Sequence, residues 1–463
     1  MDNLENLGIA ELSHSYISRK TSPTEVVTRT LERIEQLEPK LGAFEVVLVE
    51  RAMEAAAGTE RAIKNGHRIG PFHGVPFVLK DLIHVEGTVT TGGTNLYEDR
   101  VSNTTASIAH RLIAGGGILI GKTKTVEVAL GPWGTNTQRG TPWNPWDIKT
   151  HRAPGGSSSG TGSSVAARLA TCGVGTDTGG SVRIPSAFCG LVGLKVTEGQ
   201  LPLDGIQPLS HTLDTPGPMC RSTIDTAIMY QTMAGHEPNQ IQADLSADKG
   251  MFREMKRGIK GLALGVLTEQ DRSIVDAEML ELYDNAIARL EKLGAVLRPL
   301  KLPRTIDEMR SLVSTIIAVE GYYYHGDMYE NPKNAVDEDV KFRIMQGKNE
   351  ASVDYVRALR QRLLDREAFR EAMDGMDAFI TPTLPVAAPI VDEIDQKKAP
   401  SHFTRMVNYL GFCALSTPMG LTTDGLPGGL HIIGFGGMET ITLRIGAACE
   451  SEFEDIGWPN GWD

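Results

Sequence analysis

Two glycine- and serine-rich loops in residues 152–196 constrain this chain more than any other stretch. The first contains Gly155-Gly-Ser-Ser-Ser-Gly, and the second contains Gly173-Val-Gly-Thr-Asp-Thr-Gly-Gly-Ser-Val-Arg. Between them, Val165 to Ala170 has a helical pattern. Glycine allows positive φ and close approach of other atoms, so such loops can fold tightly around a reactive group. Two polar surface loops are an equally good interpretation of the local sequence.

The chain is acidic, with a formal net charge of −12 over 463 residues. Nucleic acids and anionic membranes attract basic surfaces, so neither is expected as the main partner. Hydrophobic residues make up 41% of the chain, which is ordinary for a globular protein with a large core. The expected partner is a small-molecule substrate, and the expected assembly is a monomer or a homodimer.

The sequence predicts a cytoplasmic protein. Its first residues carry acids where a secretory signal would carry Lys or Arg, and no apolar segment follows them. No run of about 18 apolar residues suggests a membrane span. The cysteines are odd in number and widely spaced, which favours free thiols in a reducing compartment. They are Cys172, Cys189, Cys220, Cys413 and Cys449.

Alternating strand and helix patterns predict an α/β fold. Val75 to Leu79 is a candidate buried strand, and residues 261–302 show a strand, a helix and a second strand, typical of a crossover unit. A helix is predicted over Val46 to Lys64. Residues 303–376 are charged and helical, which suggests an insertion that could act as a lid. We therefore predict one large domain, residues 1–463, with a mixed central β-sheet surrounded by helices.

Two lysines follow predicted strands. Lys80 ends the apolar run from Val75, and Lys122 follows Ile118-Leu-Ile120. Residues 116–123 also match the phosphate-binding pattern G-x-x-x-x-G-K-[ST]. We reject that match, because the four middle residues of a phosphate-binding loop must be loop, whereas Ile-Leu-Ile favours a strand. Either lysine could instead serve as a buried base.

Several other chemistries do not fit the sequence. The histidines are scattered, without the short spacing of a zinc site. Gly156-Ser-Ser-Ser-Gly160 matches G-x-S-x-G, but no strand precedes it as a nucleophile elbow requires. A serine nucleophile with a lysine base remains. Ser181 follows a glycine-rich turn suited to an oxyanion hole, and Ser157 could pass a proton. Lys80 is the better placed base, although Lys122 stays open. No metal or cofactor is expected.

The second loop resembles a known signature. Gly175-Thr-Asp-Thr-Gly-Gly-Ser-Val-Arg-Ile-Pro-Ser-Ala-Phe-Cys-Gly, together with Gly155-Gly-Ser-Ser, resembles that of the amidase signature family of serine hydrolases. Gly74-Val-Pro-Phe-Val-Leu-Lys-Asp81 looks like the lysine strand of that family, and the resemblance extends over nearly the whole chain. It implies the amidase signature fold and hydrolysis of amide C–N bonds.

The resemblance also implies roles for individual residues. Ser181 matches the nucleophile, Ser157 the bridging serine on a cis peptide, and Lys80 the general base. Two further sets match the oxyanion hole and a structural pair that braces the loop. These are Thr178, Gly179 and Gly180 with the Ser181 amide, and Asp177 with Arg183.

The predicted activity is that of a stand-alone amidase acting on aryl or alkyl amides, with carbamates or urethanes as further substrates. Leu130, Gly131 and Trp133 are candidate substrate-binding residues by their position after Glu127. The alternative is the glutamine-hydrolysing subunit of the aminoacyl-tRNA amidotransferase. The Ser-Asn-Leu-Ser/Ala-Arg-type stretch of that subunit is not found after Glu320, and the acidic chain suggests no basic face for tRNA.

Overall fold

The computed structural model describes residues 4–462 and contains one mixed sheet of eleven strands. In chain order the strands are β1 (Phe44–Val47), β2 (Pro76–Lys80), β3 (Ile118–Thr123), β4 (Cys172–Asp177), β5 (Val192–Lys195), β6 (Thr215–Cys220), β7 (Ala263–Val266), β8 (Val296–Pro299), β9 (Ala378–Pro382), β10 (Cys413–Leu421) and β11 (Pro427–Gly434).

The strand order across the sheet is β1-β3-β2-β4-β6-β5-β10-β11-β9-β7-β8. β2 pairs in parallel with both β3 and β4, and β7 pairs in parallel with β8 and β9. The remaining neighbours are antiparallel. β2 and β4 are buried along their whole length, so residues at their carboxyl ends reach the interior of the protein.

Helices cover the sheet. They are α1 (Ile9–Ile17), α2 (Pro23–Leu41), α3 (Val49–Lys64), α4 (Ser107–Ala114), α5 (Ser159–Ala166), α6 (Arg183–Phe188), α7 (Thr223–Ala234), α8 (Pro238–Ala247), α9 (Gly250–Met255), α10 (Glu269–Arg272), α11 (Ala277–Lys292), α12 (Ile306–Glu330), α13 (Glu338–Gln346), α14 (Ser352–Ala372), α15 (His402–Leu410) and α16 (Glu439–Glu452). No helix within residues 4–462 is both long enough and apolar enough to cross a membrane.

The predicted fold class is confirmed. β7, α11 and β8 form the expected crossover unit, and residues 118–123 form a buried strand rather than a phosphate-binding loop. The helix predicted from Val46 is wrong at its start. Phe44 to Val47 pair with the edge of β3, and the helix begins at Val49. An apolar, β-branched run at a sheet edge gains ladder hydrogen bonds that a helical pattern does not reveal.

Candidate active site

Lys80 stands at the carboxyl end of β2, in the middle of the parallel part of the sheet. Its side chain has no exposure to solvent. The Nζ atom donates to Ser157 Oγ at 2.7 Å and to Thr176 Oγ1 at 2.8 Å. β4 runs beside β2, which places Thr176 within reach of the amine. The sheet therefore brings together one residue from the end of each strand and one from the first glycine-rich loop.

Burial sets the protonation of this amine. Removal from water lowers the pKa of Lys80 from 10.5 to about 7, although the charges of Asp214 and Asp177 act in the opposite direction. A neutral amine has a lone pair that can accept a proton. At a pKa near 7, a large fraction of the molecules hold Lys80 in that form at neutral pH.

Lys122 lies one strand away and has a different environment. Its Nζ lies 2.6 Å from Asp81 Oδ1, and both side chains are fully buried. The same amine donates to the carbonyl oxygen of Val89 at 2.9 Å. These partners hold the Lys122 amine in an ion pair with a structural role, and no hydrogen bond of the described residues joins it to Ser157. The structure thus places Lys80, and not Lys122, beside Ser157.

The first loop presents Ser157 on the cis peptide bond Gly156–Ser157. The Ser157 carbonyl oxygen accepts hydrogen bonds from the Val126 amide at 3.2 Å and from Thr125 Oγ1 at 3.0 Å. Gly156 packs so closely that a Cβ there would stand 2.4 Å from the carbonyl oxygen of Gly131. Only glycine fits at this position, because the neighbouring atom is rigid backbone.

The second loop is held by the carboxylate of Asp177. Its Oδ1 accepts from the amide of Gly180 at 2.7 Å, and its Oδ2 accepts from the amide of Val182 at 3.1 Å. Arg183 donates to the same carboxylate through Nε at 3.0 Å and Nη2 at 2.9 Å. Burial opposes ionisation, but the paired Arg183 holds the pKa of Asp177 well below its usual range. Asp177 thus fixes the backbone on both sides of Ser181.

Asn408 of α15 supports the same pair. Its Nδ2 donates to Asp177 Oδ1 at 2.9 Å, and its Oδ1 accepts from Arg183 Nη2 at 2.6 Å. The sequence analysis missed this residue. It is 225 residues from Arg183, and its local pattern is that of an ordinary amphipathic helix, so no signal in one sequence identifies it.

Ser181 lies in direct contact with the first loop, since its carbonyl oxygen accepts from the amide of Ser158 at 3.4 Å. Among the hydrogen bonds of the described residues, none uses the amide of Gly179 or Ser181 as a donor. The Gly180 amide was predicted to donate to the oxyanion. In the structure it donates to Asp177 Oδ1 instead. What Gly180 supplies is its φ of +130°, a conformation that favours glycine. Thr178 Oγ1 donates to Asp214.

Ser181 opens onto a cavity of about 400 Å³. Leu130, Gly131, Thr178 and Gly179 also line it, so the structure brings these four residues together beside Ser181. Trp133 is not among the described residues of this lining. Its ring stacks on Phe188 with centroids 6.4 Å apart, and its Nε1 donates to the carbonyl oxygen of Lys398 at 2.9 Å. A substrate-binding role for Trp133 stays a prediction.

Part of the cavity lining comes from distant helices and from the loop before α15. It carries three arginines that the sequence analysis missed, Arg310, Arg343 and Arg405. They lie on three different helices, so only the packing of those helices reveals the cluster. Within residues 4–462, no group of three or more His, Cys, Asp or Glu side chains could hold a metal ion.

Comparison with known proteins identifies the family of this chain. The family model described as Amidase matches residues 25–443. A glutamyl-tRNA(Gln) amidotransferase subunit of Anaeromyxobacter dehalogenans (strain 2CP-C) is 32% identical over 481 aligned positions, covering 98% of this chain and 97% of the relative.

Solved structures of amidases share the fold. Native peptide amidase from Stenotrophomonas maltophilia superposes with a TM-score of 0.82 at 25% identity, covering 98% of each chain. A protein from a vestigial complex that reveals the evolutionary origins of an s-triazine catabolic enzyme gives 0.87 at 27% identity, covering 96% of this chain and 98% of the other. The resemblance inferred from the two loops is confirmed: the chain belongs to the amidase signature family, whose enzymes hydrolyse amide C–N bonds.

Proposed function

We propose that this protein hydrolyses small linear amides through an acyl-enzyme on Ser181. The observation that carries the proposal is the hydrogen bond of 2.7 Å between the buried Lys80 amine and Ser157, next to the loop that holds Ser181. The lowered pKa of Lys80 supports its role as a base at neutral pH.

The proposed acylation moves one proton along two hydroxyls. Lys80 takes the proton of Ser157, Ser157 takes the proton of Ser181, and the Ser181 oxygen forms a bond to the substrate carbonyl carbon. The amides of Gly179 and Ser181 would donate to the oxyanion that develops. The C–N bond then breaks, and the proton returns through Ser157 to the leaving nitrogen, which departs as ammonia or an amine.

Deacylation repeats the sequence with water as the nucleophile. Water gives its proton to the relay, adds to the acyl carbon, and releases the carboxylic acid and free Ser181. Preorganised amide donors are the largest single contribution in many acyl-transfer enzymes, and losing one costs about 10²–10³ in rate. Asp177 would contribute by fixing the loop that carries these donors.

The test is release of ammonia from primary amides by the Ser181→Ala and Ser157→Ala variants. We expect Ser181→Ala to abolish turnover and to prevent labelling by a fluorophosphonate, with an unchanged urea unfolding curve. Ser157→Ala should slow turnover about a hundredfold or more, because proton transfer then lacks its bridge. Normal turnover by either variant contradicts the proposed relay.

A second candidate is hydrolysis of glutamine as one component of an amidotransferase. The names of the curated relatives favour this alternative over a stand-alone amidase. The amidase structures support the broader activity. Glutamine and carbamates therefore belong in the substrate panel beside aryl and alkyl amides. Glutamine turnover that rises when a partner protein is added would establish the second candidate.

A further inference from the structure

The cavity above Ser181 is strongly cationic. Five basic residues line it, Arg310, Arg343, Lys397, Lys398 and Arg405. No Asp or Glu is among the described residues of the lining. The chain as a whole carries a net charge of −12, so this local excess of positive charge runs against its composition. Cations gathered in a cleft favour binding of an anion there.

Arg405 carries the strongest argument. Its Cγ lies 3.2 Å from the point where a Cβ on Gly179 would stand, so the side chain lies against the Ser181 loop. Its Nη1 donates to Ser314 Oγ at 3.1 Å, a neutral partner. Burial and the nearby Arg310 and Arg343 lower the pKa of Arg405 to about 10. No carboxylate among residues 4–462 lies within ion-pair distance of this guanidinium.

The other two arginines are also incompletely paired. Among the described residues, Arg343 donates only to neutral oxygens, which are the carbonyl of Leu130 at 3.0 Å and the carbonyl and side-chain oxygens of Gln396 at 2.7 and 3.0 Å. Arg310 pairs with the exposed Asp307 at 3.1 Å, but its buried Nε has no hydrogen-bond partner among the described residues. The three guanidinium groups are half-buried and share little carboxylate between them, so a ligand that supplies negative charge would bind favourably among them.

We propose that the substrate is an amide that carries a carboxylate and no ammonium group, such as the half-amide of a short dicarboxylic acid. This proposal rests on the proposed function, since it names the substrate of the same site. Arg405 would bind the carboxylate, with Arg310 and Arg343 adding positive charge. Glutamine fits less well, because its α-ammonium finds no acid in the lining and is repelled by the arginines.

Three amides of matched length test the proposal. Glutaramate is glutamine without its α-ammonium, and pentanamide is glutaramate with a methyl group in place of the carboxylate. We expect kcat/KM for glutaramate to exceed that for pentanamide by about 100-fold or more, and that for glutamine by about tenfold. Equal turnover of glutaramate and pentanamide overturns the carboxylate site. A preference for glutamine over glutaramate overturns the exclusion of the ammonium group.

Variants of Arg405 locate the site. Arg405→Met should raise KM for glutaramate about 100-fold, far more than it changes KM for pentanamide, and Arg405→Lys should restore part of the loss. Arg357→Met is the matched control, since Arg357 is an exposed residue of α14 paired with Asp354 outside this cavity. Equal losses of glutaramate turnover in Arg405→Met and Arg357→Met would refute a specific role for Arg405.

A binding experiment separates failure of this proposal from failure of the proposed function. Glutaramate is titrated calorimetrically into Ser181→Ala and into Ser181→Ala combined with Arg405→Met. Binding by the first protein and its loss in the second supports the anion site even if wild type hydrolyses none of the amides. If wild type turns over amides but glutaramate does not bind to Ser181→Ala, the proposed anion site is refuted and the proposed function still stands.

Discussion

Replacing Lys80 with methionine tests the proposed base and its depressed pKa together. Methionine has nearly the same length and no titrating group. The fall in pKa from 10.5 to about 7 means that keeping Lys80 in the folded chain at pH 7 costs about 4 kcal/mol. The substitution also removes two hydrogen bonds, to Ser157 and Thr176, each worth about 1 kcal/mol. We expect Lys80→Met to raise the free energy of unfolding by about 2 kcal/mol at pH 7.

The sign of the pH dependence follows from the same pKa values. Between pH 7 and 10.5 the unfolded chain binds a proton on Lys80 that the folded chain does not, so wild-type stability rises with pH. The Lys80→Met variant lacks this rise in stability with pH, while all other groups titrate alike in both proteins. At pH 9.5 the cost of Lys80 falls to about 1.5 kcal/mol, which brings the two proteins to nearly equal stability.

Urea unfolding at pH 7 and 9.5 measures this difference, and ammonia release measures activity. We expect Lys80→Met to lose activity by about a thousandfold, as for removal of a general base. Lys195→Met is the control. Lys195 is fully buried, its pKa is also lowered to about 7, and its Nζ donates to two backbone carbonyls at 2.7 Å. It should show the same pH trend in stability while keeping amide hydrolysis. A stability difference for Lys80→Met that stays constant from pH 7 to 9.5 refutes the depressed pKa.

Three further substitutions probe the surroundings of the relay. Thr176→Val removes an acceptor that favours the charged amine of Lys80, so the rising limb of the kcat/KM profile should move to lower pH in steady-state assays; a shift to higher pH is incompatible with this contact. Arg183→Met leaves Asp177 charged and buried, which should lower the free energy of unfolding in urea by about 3–5 kcal/mol; a neutral effect would mean that the pair does not brace the loop. Lys122→Met should destabilise the protein in the same assay yet leave the midpoint of the pH–rate profile in place, and a moved midpoint would implicate Lys122 in the relay.

Much of the candidate site could be predicted from local sequence. The two glycine-rich loops and the apolar strand ending in Lys80 are contiguous patterns, and each carries its own physical signal. Gly156 is an example. Its close contact with the backbone of Gly131 leaves no room for a side chain, so the presence of glycine in the sequence already indicates the tight packing. The same locality allowed the predicted strand over residues 118–120 to be distinguished from a phosphate-binding loop.

Other features depended on contacts between distant segments. The choice of base between Lys80 and Lys122 follows from their neighbours in the sheet. Lys122 pairs with Asp81, whereas Lys80 contacts Thr176 on the adjacent strand. The position of Trp133 likewise depends on its partner Phe188, which stacks on the ring. Periodicity describes a segment by itself, and it contains no information about these pairings.

By itself, the sequence determined the family, the α/β class and the residues able to form a serine–lysine relay, because those properties reside in short continuous stretches. Only the tertiary structure decided that the Gly180 amide is engaged by Asp177 and that three arginines line the same cavity as Ser181. The physical reason is that hydrogen-bond competition and the summed charge of a cleft depend on distances between residues far apart in the chain, and folding alone sets those distances.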